Sequence, residues 1–330
     1  MKICVVGTGA IGGLIGAGLV QAGEDVTLLD VGSRLEAMRR DGLTILAGDE
    51  PPRVVRDARF TDSFREAGEQ DVVILGLKAH EIGDVVEEMR CLYGPDTVLV
   101  TLQNGIPWWY FVAHGGDRDG WRLQSVDPDG RIAEHVEPER IIGCVAYPAA
   151  AVERPGVIRH IHGRRLPVGE LDGRDSQRAR AIAELLVRSG FDSTVVDDIR
   201  AEIWLKAVGV LAFNSISALT RATMAQICAH PATRQLAIEL MSEAQAVAEG
   251  LGVTLRVSIE RRFRGAERVG EHRTSMLQDV EAGRRLEVEA LVGSVVEIGK
   301  KLGIPTPFIE EINACVQLLD EQMESLPSET

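Results

Sequence analysis

Apolar residues follow two regimes along this chain. Through the first half they come as short, β-branched runs at residues 2–6, 26–29, 71–77 and 97–102, as strands buried on both faces of a parallel sheet require. Weaker strand patterns lie at 43–46 and 53–55. Further ones lie at 141–146, 157–161 and 167–171, and are expected to close the sheet with an antiparallel or mixed edge, with a final strand at 191–196. Helical spacing covers 10–22, 33–40, 81–92 and 176–189. From Asp198 the period changes to 3.6 and stays there, with helices over 203–219, 231–249, 258–269, 287–302 and from 307 to about 324. In the fourth of these, Val288, Leu291, Val292, Val295, Ile298 and Leu302 form one apolar stripe. Thr306 is placed to cap the last helix, and Pro307 stands at its first position.

The first strand runs directly into Gly7, Thr8, Gly9, Ala10, Ile11 and Gly12, then into an apolar helix. A second strand follows and ends on Asp30. Strand, glycine turn, helix, strand and acidic residue in that order form the dinucleotide-binding pattern. Gly7 permits the tight turn, Gly9 lets backbone approach a pyrophosphate, and Gly12 lets the helix pack closely on the sheet. The helix start then offers N–H groups and positive dipole to phosphate. The fold class is therefore α/β. An N-terminal Rossmann dinucleotide-binding domain over 1–198 is followed by an all-helical domain over 199–330, with a rigid strand-to-helix joint between them.

A length of 330 residues suits two domains. The formal charge is −14, from 36 basic and 50 acidic residues, which disfavours nucleic acid and anionic membranes as partners. An anionic cofactor or substrate then needs a local positive site, so lysines near the strand ends gain interest. Cys4, Cys91, Cys144, Cys228 and Cys315 are widely spaced and show no metal-binding pattern. They read as buried thiols of a reducing, cytoplasmic protein. No signal peptide is expected ahead of the first core strand, and no apolar run is expected to span a membrane.

Between the strands, Lys78 stands at the end of the 71–77 run and Asn104 just after the 97–102 run, at the sheet edge where ligands bind. Trp108, Trp109, Tyr110 and Phe111 form a dense aromatic cluster before a Gly-, Asp- and Arg-rich stretch over 114–137. The cluster suits packing of this insertion, a lid on the cofactor, or a subunit contact. His160 and His162 share one strand face and read as solvated edge residues, with no metal site.

In the helical half Lys206, Val210 and Asn214 are spaced i, i+4, i+8 on one stripe. A lysine there can snorkel to the surface or serve a buried site. Ser275 lies in a polar run over 274–279. Glu287 opens a helix with its own side apolar, so its carboxylate points inward or is a solvated helix-start acid.

These residues together resemble the ketopantoate reductase (2-dehydropantoate 2-reductase) family. The carriers are the 7–12 turn, Leu77-Lys78-Ala79, Gln103-Asn104-Gly105, Trp204-Leu205-Lys206, the 213–220 run, the 274–279 run, Glu281-Ala282-Gly283-Arg284, Leu286-Glu287-Val288 and Gly303-Ile304-Pro305-Thr306-Pro307. The resemblance implies a Rossmann domain and a helical domain with the active site in the cleft between them. It implies NAD(P)H-dependent reduction of ketopantoate to pantoate, in pantothenate biosynthesis. Lys206 would protonate the nascent alkoxide, and Glu287 would hold Lys206 and the substrate hydroxyl. Lys78 and Asn104 would lie near the nicotinamide and the reacting carbonyl, and Asn214 and Ser275 would bind the substrate's hydroxyl and carboxylate. A homodimer through the helical domain is common in the family.

Two departures qualify that pattern. Family members commonly carry an arginine just after the second strand, where Val31 stands here beside Asp30, so NADH is favoured over the family's usual NADPH; Arg34 is the residue able to rescue phosphate binding. A family asparagine is replaced by Val210, and another by His272, which opens an alternative. This is an NAD-dependent 2-hydroxyacid dehydrogenase of the same fold acting on a branched or aromatic 2-keto acid. A non-catalytic dinucleotide sensor would need the glycine turn but not Lys206, Glu287, Asn104 and Ser275 together.

Overall fold

The computed structural model describes residues 1–325. The chain forms two compact units. The first comprises Met1–Gln103, Trp109–Trp121 and Gly130–Ile199; the second comprises Asn104–Trp108, Arg122–Asp129 and the chain from Arg200 onward.

The strands of the first unit are β1 (Lys2–Val6), β2 (Asp25–Leu29), β3 (Leu43–Ala47), β4 (Arg53–Val55), β5 (Arg59–Thr61), β6 (Gln70–Leu75), β7 (Tyr93–Thr101), β8 (Ile141–Cys144), β9 (Ala149–Arg154), β10 (Val157–His162) and β11 (Val168–Gly169). Seven of them form the main sheet in the order β11-β8-β7-β6-β1-β2-β5. All pairings are parallel except β11 with β8. Strand order reverses around β1, which pairs with β2 on one side and β6 on the other. In open α/β sheets ligands bind at such a switch point, beyond the carboxyl ends of the strands.

Residues 157–161 do not close this sheet. They form β10, which pairs with β9 in a hairpin and parallel to β3 in a second sheet ordered β4-β3-β10-β9. The helix Ala10–Gln21 packs against both layers, with Leu28 of β2 near Gly16 and Ile158 of β10 near Gly13. A helix covered on two sides has no solvated stripe, which is why Gly12 through Leu19 are all buried. Two further expectations need correction. In place of one helix over 81–92, 3₁₀ turns at Ala79–Glu81 and Glu88–Leu92 flank the short helix Ile82–Val85, yet Ile82, Val86, Met89 and Leu92 stay buried, because tighter coils still keep those side chains on one face. Residues 191–196 make only isolated bridges, Asp192 with Arg165 and Val195 with Val168.

The aromatic cluster packs the insertion. All four rings are buried, and Trp109 Nε1 donates to Thr101 Oγ1 at 3.0 Å. Farther on, Glu297 accepts from Gln124 N–H at 3.0 Å and Ser125 N–H at 2.9 Å, which anchors that segment in the second unit.

The second unit is built on the helices Ile199–Thr220, Pro231–Gly250, Ile259–Val269, Ser294–Leu302 and Pro307–Ser325. Two short helices, Met224–Ala229 and Ser275–Glu281, were not expected from periodicity. Each is announced by a threonine cap instead: Thr223 accepts from Gln226 N–H, and Thr274 from Leu277 N–H. Contrary to the expectation of no membrane-length run, Ile199–Thr220 is long and apolar enough to cross a bilayer by length and composition. Its apolar window is 67% buried within the protein, as the central helix of a folded unit requires. The cysteines also divide: Cys4, Cys144 and Cys228 are buried, whereas Cys91 and Cys315 are exposed.

Candidate functional site

At the switch point, three backbones converge on Gly7, which takes φ +88°. A Cβ on Gly12 would lie 2.0 Å from Gly7 O, and one on Gly76 would lie 2.5 Å from the same oxygen. Sequence reading missed Gly76. Its signal is a glycine interrupting an apolar strand run, the mark of close backbone approach. Gly9 differs: a Cβ there would meet no described atom within 4 Å. The helix it opens, Ala10–Gln21, has neither a side-chain cap nor an acidic residue in its first turn. Open space over uncapped N–H groups at a positive dipole end fits a pyrophosphate. Thr8, Gly9, Ala10 and Ile11 line this turn.

Asp30 follows β2 and is 4% exposed. Its Oδ2 accepts from Thr8 N–H at 2.8 Å and from the Thr8 hydroxyl at 2.5 Å. Oδ1 accepts from Val31 N–H and from Arg34 Nη2, each at 2.8 Å. Burial pushes the Asp30 carboxyl up, but Arg34, Thr8 and Val31 together outweigh it and hold the group below its ordinary value. Asp30 in turn raises the Arg34 guanidinium. The two residues treated separately in the sequence are thus one ion pair. Val31 beside them is 63% exposed.

Elsewhere in this unit, Lys78 is half-buried at the end of β6, and its N–H donates to Glu81 Oε2 at 2.8 Å. Gln103 Nε2 ties the end of β7 to that of β6 by donating to Leu75 O at 3.0 Å.

In the second unit the Lys206 ammonium donates to Asn104 Oδ1. These residues are 102 apart in sequence, and Gly105 explains the meeting. At φ +79° it lies so close to Ala290 that a Cβ would sit 2.0 Å from Ala290 O. The next residue, Ile106, donates its N–H to that oxygen at 2.9 Å. Ala290 belongs to a π-helical turn, Glu289–Gly293, entered two residues after Glu287. Docking on this turn therefore carries Asn104 to Lys206 and ties both to the segment bearing Glu287, which is half-buried. Two turns beyond Lys206, the buried Asn214 donates Nδ2–H to Ser275 Oγ at 3.1 Å. Val210 lies half-buried between them. Arg262, absent from the sequence reading, donates to Leu205 O at 2.6 Å, against the Lys206 helix. The second unit thus presents a proton-bearing cation met by the Asn104 amide, and a buried Asn214 amide met by the exposed Ser275 hydroxyl, along one side of the Ile199–Thr220 helix. That set can donate a proton to a carbonyl oxygen and hold a polar substrate.

Residues 3–173 match the family model described as ketopantoate reductase PanE/ApbA, and residues 198–320 match its C-terminal partner model. A 2-dehydropantoate 2-reductase from Mesorhizobium japonicum is 46% identical, with 97% of this chain and 98% of the relative covered. The chain belongs to the ketopantoate reductase family. It is an oxidoreductase of a family that depends on NAD(P)H. Solved structures share the architecture of this family. One from Ralstonia solanacearum MolK2 is similar at TM-score 0.92 with 39% identity, covering 98% of both chains. The 2-dehydropantoate 2-reductase from Geobacter metallireducens GS-15 follows at TM-score 0.83 and 28% identity, covering 98% of this chain and 99% of that one.

Proposed function

We propose that this chain reduces ketopantoate to pantoate, with Lys206 as the proton donor. The observation that supports the reading most directly is the hydrogen bond from the Lys206 ammonium to Asn104. It fixes a cation on the stripe that also carries Asn214, the partner of Ser275. A dinucleotide held at the Gly7–Gly12 turn would supply hydride for the 2-keto carbon. As the carbonyl π bond breaks, charge collects on oxygen, and Lys206 gives that oxygen a proton while its own field stabilises the charge. Glu287 keeps Lys206 and the substrate hydroxyl in register. Asn214 and Ser275 hold the substrate's hydroxyl and carboxylate, and Lys78 and Asn104 serve the nicotinamide end. Residues 1–198 act as the cofactor domain and 199–330 as the substrate domain. The enzyme works as a cytoplasmic homodimer in pantothenate biosynthesis.

NADH is the preferred cofactor. Asp30 keeps an anionic carboxylate where a 2′-phosphate would add like charge, and Val31 offers that phosphate no donor. Arg34 gives its Nε and Nη2 to Asp30, whose charge offsets the positive charge Arg34 would bring to a phosphate.

The test is oxidation of NADH and NADPH with ketopantoate, 2-ketoisovalerate and benzoylformate. Turnover with ketopantoate at the highest kcat/KM supports the reading. No turnover with any 2-keto acid overturns it in favour of a dinucleotide sensor, and a preference for benzoylformate overturns the substrate.

A further inference from the structure

Glu287 stands where the chain enters a helix, so no preceding turn holds its backbone. Its setting depends on bonds to the groups on either side. Leu291 N–H donates to Glu287 O at 3.2 Å, and Ala290 O accepts both Ile106 N–H at 2.9 Å and the Ser294 hydroxyl at 2.8 Å. On the entering side, Leu286 N–H donates to Asp320 Oδ1 at 2.7 Å. Asp320 comes from the helix Pro307–Ser325, 34 residues further along the chain. Its side chain is only 13% exposed, and its second oxygen lies 3.8 Å from Arg285 Nε.

Leu286 and Val288 are both buried in the core, so the chain on each side of Glu287 is anchored. The Leu286 N–H lies in the peptide that enters Leu286, so its bond to Asp320 fixes the backbone one residue ahead of Glu287, from which the Glu287 side chain sets out. The Leu286 N–H has to meet an acceptor, because a buried donor left unmade is costly. Asp320 supplies that acceptor from one direction only, and as an anion near a helix start it is favoured by the dipole too.

We propose that Asp320 is a positioning residue for the reductase reaction: it fixes the Leu286 peptide and through it the direction of the Glu287 carboxylate. This rests on the role given to Glu287 above. Removing Asp320 should loosen Glu287 and slow proton transfer from Lys206 without touching dinucleotide binding, which belongs to the first unit.

The experiment measures kcat, and KM for both substrates, in Asp320→Ala, Asp320→Asn, Glu287→Gln and the Asp320→Ala/Glu287→Gln pair. Asp320→Ala should lower kcat tenfold or more, with the cofactor KM within twofold of wild type. Asp320→Asn keeps an oxygen acceptor and should recover most of the loss. In the Glu287→Gln background Asp320→Ala should add little, because both act through one carboxylate. An Asp320→Ala enzyme with wild-type kcat beside an impaired Glu287→Gln overturns the proposal alone, as does full additivity of the two losses. A Glu287→Gln enzyme with wild-type kcat overturns the role of Glu287 itself, and the positioning role with it.

Discussion

Thr8 and Asp30 lie 22 residues apart, and both the N–H and the hydroxyl of Thr8 end on one oxygen of Asp30. The glycine turn and the acid at the end of the second strand are therefore one device. Thr8 holds Oδ2, while Oδ1 accepts from Val31 N–H and Arg34 Nη2.

Cofactor choice should follow from this device. Hydrogen bonds to charged groups are worth about 1.5–3 kcal/mol, or roughly 10- to 150-fold in an equilibrium. Asp30→Asn should shift the ratio of kcat/KM for NADH over NADPH at least tenfold toward NADPH. Thr8→Val, which loses the hydroxyl but keeps the N–H, should shift it in the same direction by less. Wild type preferring NADPH tenfold, or variants that lower both cofactors equally, would show that Asp30 does not read the ribose.

The same carboxylate carries a pH signature. Its folded pKa is depressed, so its contribution to stability is complete above the ordinary aspartate range near pH 4. That contribution is lost as pH falls through the lower folded value. Melting temperatures of wild type and Asp30→Asn should therefore differ most at neutral pH and converge below about pH 4. A gap that stays constant down to pH 2 would mean the ion pair with Arg34 adds nothing to stability.

What the sequence exposed, and what it hid, follows from distance along the chain. The β1 run, the 7–12 turn and Asp30 are legible because a βαβ unit is local, with each glycine's task fixed by its neighbours. The Asp30–Arg34 pair was missed as a pair although the residues are four apart, because spacing does not show that both side chains turn toward Thr8. Asn104 and Lys206 could be named, but only the docking of Gly105 on Ala290 shows why they meet. The π-helical turn that receives Gly105 leaves no mark in the apolar stripe of residues 288–302, since residues 290–296 are all buried and no solvated face betrays the change of register. The second sheet was illegible for a related reason: β10 alternates as an edge strand would, and nothing in alternation names β3 as its partner.

Lys206 gives the most direct test of the chemistry. A general acid is typically worth about 10²–10⁴ in rate. Lys206→Ala should lose kcat in that range, while dinucleotide affinity, measured by fluorescence titration, stays within twofold. Asn104→Ala removes the acceptor that fixes the ammonium and should cost less, because the proton itself remains. A Lys206→Ala enzyme retaining more than half of wild-type kcat would assign the proton to another group.

Val210 decides how far the substrate site departs from the family pattern. It sits one turn from Lys206 and one from Asn214, half-buried, and offers methyl groups between their two polar side chains. Two physical outcomes compete. Each methylene of a branched or aromatic 2-keto acid buried against this side chain would gain about 0.8 kcal/mol. Ketopantoate, by contrast, brings a terminal hydroxyl that must find a partner or pay its desolvation. Asn214 and Ser275 already form a buried-to-exposed polar pair one turn further on, and that pair supplies the partner. Ketopantoate is therefore expected to exceed 2-ketoisovalerate and benzoylformate in kcat/KM, and Val210→Asn to change the ketopantoate value less than about fivefold. Asn214→Ala should cost ketopantoate far more than 2-ketoisovalerate, since a site that bonds a hydroxyl discriminates through the groups left unpaired. Steady-state kinetics of wild type and the two variants on the three acids gives the answer. If Val210→Asn raises ketopantoate turnover a hundredfold, or Asn214→Ala penalises all three acids alike, the hydroxyl is read at position 210 and not by the Asn214–Ser275 pair.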